Sequence, residues 1–345
     1  MPSAIVIVGP ETQEEEESCL PISGNSGAVS SGASPTEPGI PLSCVEVLGR
    51  SVLLRLIEQL QRAGVEMISL LGNVSSVSLS ATSISMVELC SPEETWRGAA
   101  QHFFAGKESG TEMTLIVRAG AFADIDLPDA IQFHSNHRQA VTRVFEREGA
   151  LDFWLLDPAG ISEDMDLFTT LHSGENARYY ARGYVNRLEH PGDLRRLVVD
   201  ALTSRCSLRP QGTEIRPGIW VDEGAQVHRD ARIVAPAYIG CGTRIGEQCL
   251  ITRCSNVESN CHVDYGTVLE DSSILANTYV GIGLDLSHAI VNGNTLLNLE
   301  RRVALEISDP SVIRPNRVPR PEKKISAPVV GLGGTHLSPI EEGLR

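Results

Sequence analysis

An aliphatic residue returns every six positions along one stretch of the chain: Ile215, Val221, Val227, Ile233, Ile239, Ile245, Ile251, Val257, Val263 and Leu269. Four residues after each member from Val221 to Val263 stands a small one: Ala225, Ala231, Ala237, Thr243, Cys249, Ser255, Cys261 and Thr267. A slipped register continues through Val268, Ile274, Val280 and Leu286. A six-residue unit suits one short flat strand plus a turn, and three such units close a triangular coil. The aliphatic side chain fills the inside of the prism, and the small one fits near the turn, where a large one would clash. The pattern predicts a parallel β-helix of four 18-residue coils over 215–286.

Upstream the periodicity alternates. Residues 4–9 read as a buried strand, and Val52–Leu60 carries apolar residues at helical spacing, with Gly64 just past its end. Strands are expected at 67–71, 84–89, 114–117 and 140–145, and helices at 92–105, 128–137 and 191–204. Ser91 and Pro92 supply an N-cap and a first-turn proline for the second helix. Such alternation indicates an α/β domain with a mostly parallel, Rossmann-like sheet over 1–205, ahead of an all-β domain at 206–307. Residues 10–43 hold the acidic run Glu14–Glu17, seven Ser, five Pro and four Gly, a composition that buries too little surface to order itself. They read as a flexible insert, and 308–345, with six Pro, as a mobile tail.

Lys and Arg total 29 against 44 Asp and Glu, a net charge of −15. That argues against nucleic acid and against an anionic membrane surface, both of which need a basic patch. A small phosphorylated ligand needs only one local cluster and stays compatible. No apolar run approaches the ~18 residues of a membrane span, and Met1–Gly9 lacks the basic start of a secretory signal. The eight cysteines form no CxxC pair and read as reduced thiols in a cytoplasmic protein.

Several segments resemble the sugar-1-phosphate nucleotidyltransferases, such as the mannose-1-phosphate guanylyltransferases and glucose-1-phosphate adenylyltransferases. Gly49–Val65 is similar to their helix after the substrate loop, and Ala123–His134 to the segment after their central metal-site strand. Gly183-Tyr184 with Pro191 and Asp193 resembles their late Gly-Tyr-Trp-x-Asp-x-Gly-Thr-Pro-x-Asp stretch. The β-helix and its run-out, Tyr279–Gly281 and Ala289–Asn294, are similar too. The resemblance implies a nucleotidyltransferase-like first domain and a left-handed β-helix. It also implies in-line attack on a nucleoside triphosphate, served by a glycine-rich loop, a Lys and two Mg²⁺-binding Asp.

The sequence departs from that pattern at each catalytic position. Pro10-Glu11-Thr12 follows Gly9 in place of Gly-x-Gly-Thr-Arg, and no Lys precedes Lys107. The first metal Asp becomes Gly120, beside Arg118, and the late one becomes Arg187. Losing these groups together leaves transition-state charge unneutralised. The expectation is therefore a divergent homologue impaired in catalysis. It would bind a sugar phosphate or nucleotide-sugar through Gly9, Gly98, Arg118, Gly120 and Arg187, and act as a regulator or scaffold. It would assemble with itself through the β-helix or with an active paralogue.

No metal ligand or catalytic residue is assigned, and Mg²⁺ enters only if a rebuilt site, with Asp124 and Asp126 as substitutes, keeps the transfer active. The alternative reading of those two Asp is capping of the following helix. The pair Arg118 and Arg187 invites a metal-free phosphate contact. A third reading makes the chain a hexapeptide acyltransferase with His228, His262 or His288 as general base. His134 and His137, three apart on a helix, read as a solvated face, and Cys249 and Cys261 as packing residues.

Overall fold

The computed structural model describes residues 2–9, 19–20, 40–73, 84–89 and 91–316. Most of the expected insert and tail therefore lies outside the described residues. Two portions of them do not: Cys19–Leu20 pairs with Ile40–Pro41, and Ile313–Pro315 pairs with Thr278–Val280.

The N-terminal half is built on seven strands: β1 (Pro2–Val8), β2 (Met67–Gly72), β3 (Ile84–Glu88), β4 (Met113–Arg118), β5 (Val141–Glu146), β6 (Gly149–Leu156) and β7 (Ala177–Tyr180). Across the sheet they run β7-β5-β6-β4-β1-β2-β3. All neighbours are parallel except β6, which runs against both β4 and β5. The helices are α1 (Val52–Arg62), α2 (Pro92–Glu108), α3 (Leu127–His137), α4 (Leu167–Leu171) and α5 (Pro191–Leu202).

Both faces of the sheet are covered, and β1 shows why its sequence reads as a continuous apolar run. Ala4, Val6 and Val8 face a core with Leu53, Ile57 and Leu60 of α1. Ile5 and Ile7 face the opposite core, with Ala99 and Phe103 of α2. Ser91 caps α2 as expected, accepting from Glu94 N.

The C-terminal half is three stacks of short parallel strands, and its pairing fits a β-helix. Ladder partners lie one coil apart: Trp220 with Tyr238, Tyr238 with Asn256, Arg244 with His262 and Ile251 with Leu269. The slipped register has a geometric cause. Asn256 pairs with Ser273 and Ser273 with Ile290, so the later coils are each a residue shorter than those before them. Ile239, Ile245, Ile251, Val257, Val263, Leu269, Ile274, Val280, Leu286 and Val291 fill one buried core.

The small residues do more than avoid a clash. Thr243 Oγ1 donates to Glu258 O at 2.6 Å, Thr267 Oγ1 to Gly281 O at 2.6 Å and Cys261 Sγ to Leu275 O at 3.0 Å. Each satisfies a carbonyl of the next coil, as buried polar groups require. Two members of the period stand outside that core: Val227 is exposed, and Ile215 departs further. It lies on Thr213–Arg216, an antiparallel strand before the first coil, and is exposed.

Candidate functional site

The resemblance directs attention to the ends of β1 and β4. Arg118 closes β4, and Ala119 N donates to Ile7 O at 2.8 Å, so the turn after β4 lies beside the end of β1 and Gly9. Phe122–Ala123 then pairs antiparallel with Val185–Asn186, Phe122 opposite Asn186. This small ladder brings the segment holding Gly120 alongside the one holding Arg187. Its close approach depends on Gly183, where a Cβ would strike the backbone of Asp124.

The two arginines at this rim are engaged by carboxylates of the β5–β6 hairpin. Arg118 forms an ion pair with Asp152, donating from Nε at 2.7 Å as well. Asp152 also accepts from Arg143 Nη2 at 3.1 Å. Arg187 donates to Glu146 Oε1 from Nε at 3.1 Å and from Nη2 at 2.9 Å. Burial raises Glu146, but the Glu148 N–H and the Arg187 guanidinium outweigh it and hold the carboxyl below its ordinary range. A small cavity of about 50 Å³ opens between α1, β4 and β6, lined by Arg55, Gln59, Arg118, Phe122, Asp152 and Phe153 among others.

The remaining expected residues fall elsewhere. Gly98 lies on α2, where a Cβ would sit 3.0 Å from Leu89 Cδ1, so it lets the helix approach that segment. Asp126 is the N-cap of α3 and accepts from Asp129 N at 3.1 Å. Asp124 accepts from Ser207 N at 3.1 Å and from the Ser207 hydroxyl, tying the chain just after α5. His134 differs from its expected place on a solvated face. It is buried, with Nδ1 2.7 Å from Thr142 Oγ1, and burial lowers its pKa.

Whether these residues fit the Mg²⁺ implied by the resemblance is a question of donor chemistry. The two relevant positions carry Gly120, which has no side chain, and Arg187, which is a cation. Among the described residues no group of three or more His, Cys, Asp or Glu is placed to hold a metal ion. They do not fit, because Mg²⁺ takes carboxylate and phosphate oxygens. Asp152, Arg143 and Glu146, which organise the rim, escape the sequence reading. The available signal was a charge inside an apolar strand, as in Gly149–Leu156 (GALDFWLL).

A second polar constellation joins the two halves. Glu258 is fully buried and accepts from Leu48 N at 2.8 Å, Gly49 N at 2.9 Å and Asn256 Nδ2 at 2.6 Å. Gly49 has φ of +89°, and a Cβ there would lie 2.5 Å from the Tyr238 hydroxyl, so only glycine presents its N–H this way. Burial, reinforced by Glu46, pushes Glu258 up to about 8. Arg195 of α5 is buried beside it. It donates to Asp271 at 2.8 Å, to Cys254 O at 2.9 Å and to Asn256 Oδ1 at 3.4 Å. His288 Nδ1 sits 2.7 Å from the other Asp271 oxygen.

No protein-family model and no curated protein matches the chain. Among solved structures it is similar to the crystal structure of HddC from Yersinia pseudotuberculosis complexed with GMP-PN, at 16% identity and a TM-score of 0.38. The likeness covers 56% of this chain and 97% of that one.

Proposed function

We propose that the chain is a divergent relative of the sugar-1-phosphate nucleotidyltransferases. It binds a sugar phosphate or nucleotide-sugar at the rim of β1 and β4 without metal-dependent transfer. It acts as a regulatory or scaffold protein, and its left-handed hexapeptide β-helix serves assembly with itself or with an active paralogue. The observation that carries the reading is Arg187 paired with Glu146 where the resemblance expects a metal carboxylate. A guanidinium recognises phosphate but cannot ligate Mg²⁺. Arg118 and Arg143, clamped on Asp152, fix two more cations at the same rim. The site residues on this reading are Gly9, Arg118, Gly120 and Arg187, with Gly98 seating α2.

The test is a pair of measurements on the full chain. Pyrophosphate release is followed with Mg²⁺ over a matrix of nucleoside triphosphates and sugar 1-phosphates. Thermal shift is followed with nucleotide-sugars and sugar phosphates alone. The expected result is no turnover, together with a rise in Tm that Arg187→Ala with Arg118→Ala abolishes. Turnover above the protein-free control would overturn the proposal and support a rebuilt active site.

A further inference from the structure

The first strand stack of the C-terminal half has eight strands, from Thr213–Arg216 at one edge to Val303–Glu306 at the other. The two edges differ. At the first, the pairing with Ile219–Val221 shifts between Glu214 and Arg216, and the Glu214 carboxylate accepts from Gly218 N at 2.7 Å. Such an irregularity twists an edge away from further pairing. The second edge pairs with Thr295–Asn298 without a shift, Leu296 opposite Leu305 and Asn298 opposite Val303.

Backbone alternation fixes which groups of that strand are free. Ile307 N donates to Asn294 O at 2.8 Å, so 303, 305 and 307 turn their backbone groups toward Thr295–Asn298. Residues 304 and 306 then turn theirs outward, and among the described residues no strand pairs there. Val303 and Leu305 are 44% and 50% exposed, on the face that continues from Leu296 and the prism core.

We propose that Val303–Glu306 is a self-association edge, at which a second copy of this chain pairs antiparallel about a two-fold axis through Ala304. The edge is self-complementary in that register. Ala304 exchanges its outward N–H and C=O with Ala304 of the second copy. Val303 falls opposite Leu305 of the second copy, and Glu306 falls toward Arg302 of the second copy. Cross-strand apolar and opposite-charge neighbours of this kind stabilise antiparallel pairs.

Charge balance favours the same occupant. Glu300–Glu306 carries two Glu and two Arg, a neutral edge on a chain of net charge −15, so two copies meet here without local repulsion. Because the opposite edge is irregular, the contact closes on itself as an isologous dimer and does not propagate as a filament.

The proposal deepens the self-association read above and rests on it. The full chain is examined by light scattering coupled to size exclusion, with twice the monomer mass expected. Ala304→Pro removes an outward N–H at an edge position, where proline is tolerated, and should give a folded monomer, whereas Ile215→Lys at the opposite edge should leave the dimer. Glu306→Arg should weaken the dimer several-fold, and adding Arg302→Glu should restore it. Ala304→Cys should yield a disulfide-linked dimer on oxidation that the wild type does not form, since paired Cα atoms ~5.5 Å apart suit that bond. A monodisperse monomer overturns both readings. A dimer unmoved by Ala304→Pro and by the charge changes overturns the edge alone.

Discussion

Glu258 accepts the backbone N–H of Leu48 at 2.8 Å, joining chain positions 210 apart. The carboxyl directly follows the strand Asn256–Val257 of the first stack of the C-terminal half. The amide precedes Gly49 and α1 of the N-terminal half. A side chain within the six-residue pattern thus completes the turn that starts the first helix of the other half.

That placement predicts a pH dependence. The folded-state pKa of about 8 lies above the ordinary 4.5, because burial and Glu46 outweigh three hydrogen-bond donors. Between those values the folded chain holds a proton that the unfolded chain has released. Stability therefore falls as pH rises through that window and is insensitive to this group below it. Glu258→Gln, neutral throughout, should flatten the decline of Tm between about pH 5 and about pH 8. Glu258→Ala strands the Leu48 and Gly49 N–H groups and Asn256, and should cost about 3 kcal/mol or more. Melting curves across pH check both, and equal slopes for Gln and wild type would refute the assignment.

Arg195 predicts a second effect at the same boundary. Its guanidinium serves Asp271, Asn256 and the carbonyls of Arg253 and Cys254 at once, with a side chain 5% exposed. Arg195→Ala leaves Asp271 short of a partner and should destabilise the chain by about 3–5 kcal/mol in urea unfolding. Arg195→Lys should recover little of this, since one ammonium cannot span a planar fork of acceptors. A loss under about 1 kcal/mol for Ala would show the network to be dispensable.

What the sequence reveals tracks how local its physical cause is. The core of the C-terminal strand stacks is legible because each six-residue unit repeats the same requirement, down to the slipped register. Helices α1, α2, α3 and α5 are legible from caps and 3.6-residue spacing. No element is expected between 146 and 190, yet β6, α4 and β7 lie there. Strand β6 carries Asp152 within an apolar run, and its antiparallel course through a parallel sheet is set by partners distant in sequence. At the rim the sequence singles out Gly120, Arg118 and Arg187, but not Arg143, Asp152 and Glu146. Those pairings form only when β4, β5, β6 and the Val185–Asn186 ladder meet. Glu258 escapes for the same reason: nothing in the six-residue pattern distinguishes an outward Glu from one buried under the backbone of Leu48 and Gly49.

Asp124 and Asp126 yield a prediction that separates structural from catalytic carboxylates. Asp126 caps α3, and Asp124 binds Ser207. Alanine at either site should lower stability by about 1 kcal/mol, as lost caps do. Neither change should alter the ligand-induced shift in Tm. A ligand response abolished by Asp124→Ala in a folded sample would instead place that carboxylate in the binding site.

The correspondence of Gly120 and Arg187 with two metal carboxylates can be tested by rebuilding them. Gly120 does not hold a left-handed backbone conformation, and a Cβ there meets nothing closer than Arg118 Cζ at 3.9 Å. An Asp side chain is therefore sterically admissible. At 187, replacing the cation removes the Glu146 pair and leaves a third carboxylate nearby. Gly120→Asp with Arg187→Asp should create a site for a hard divalent cation, with Mn²⁺ affinity raised by about tenfold or more over wild type. Each single variant should gain far less, because Gly120→Asp leaves the Arg187 cation in place and Arg187→Asp lacks the carboxylate at 120. Titration calorimetry with Mn²⁺ reads the result directly. A double variant that folds and binds no better than wild type would mean that the two positions do not converge on one point. The proposed correspondence of these two positions with metal carboxylates would then fall.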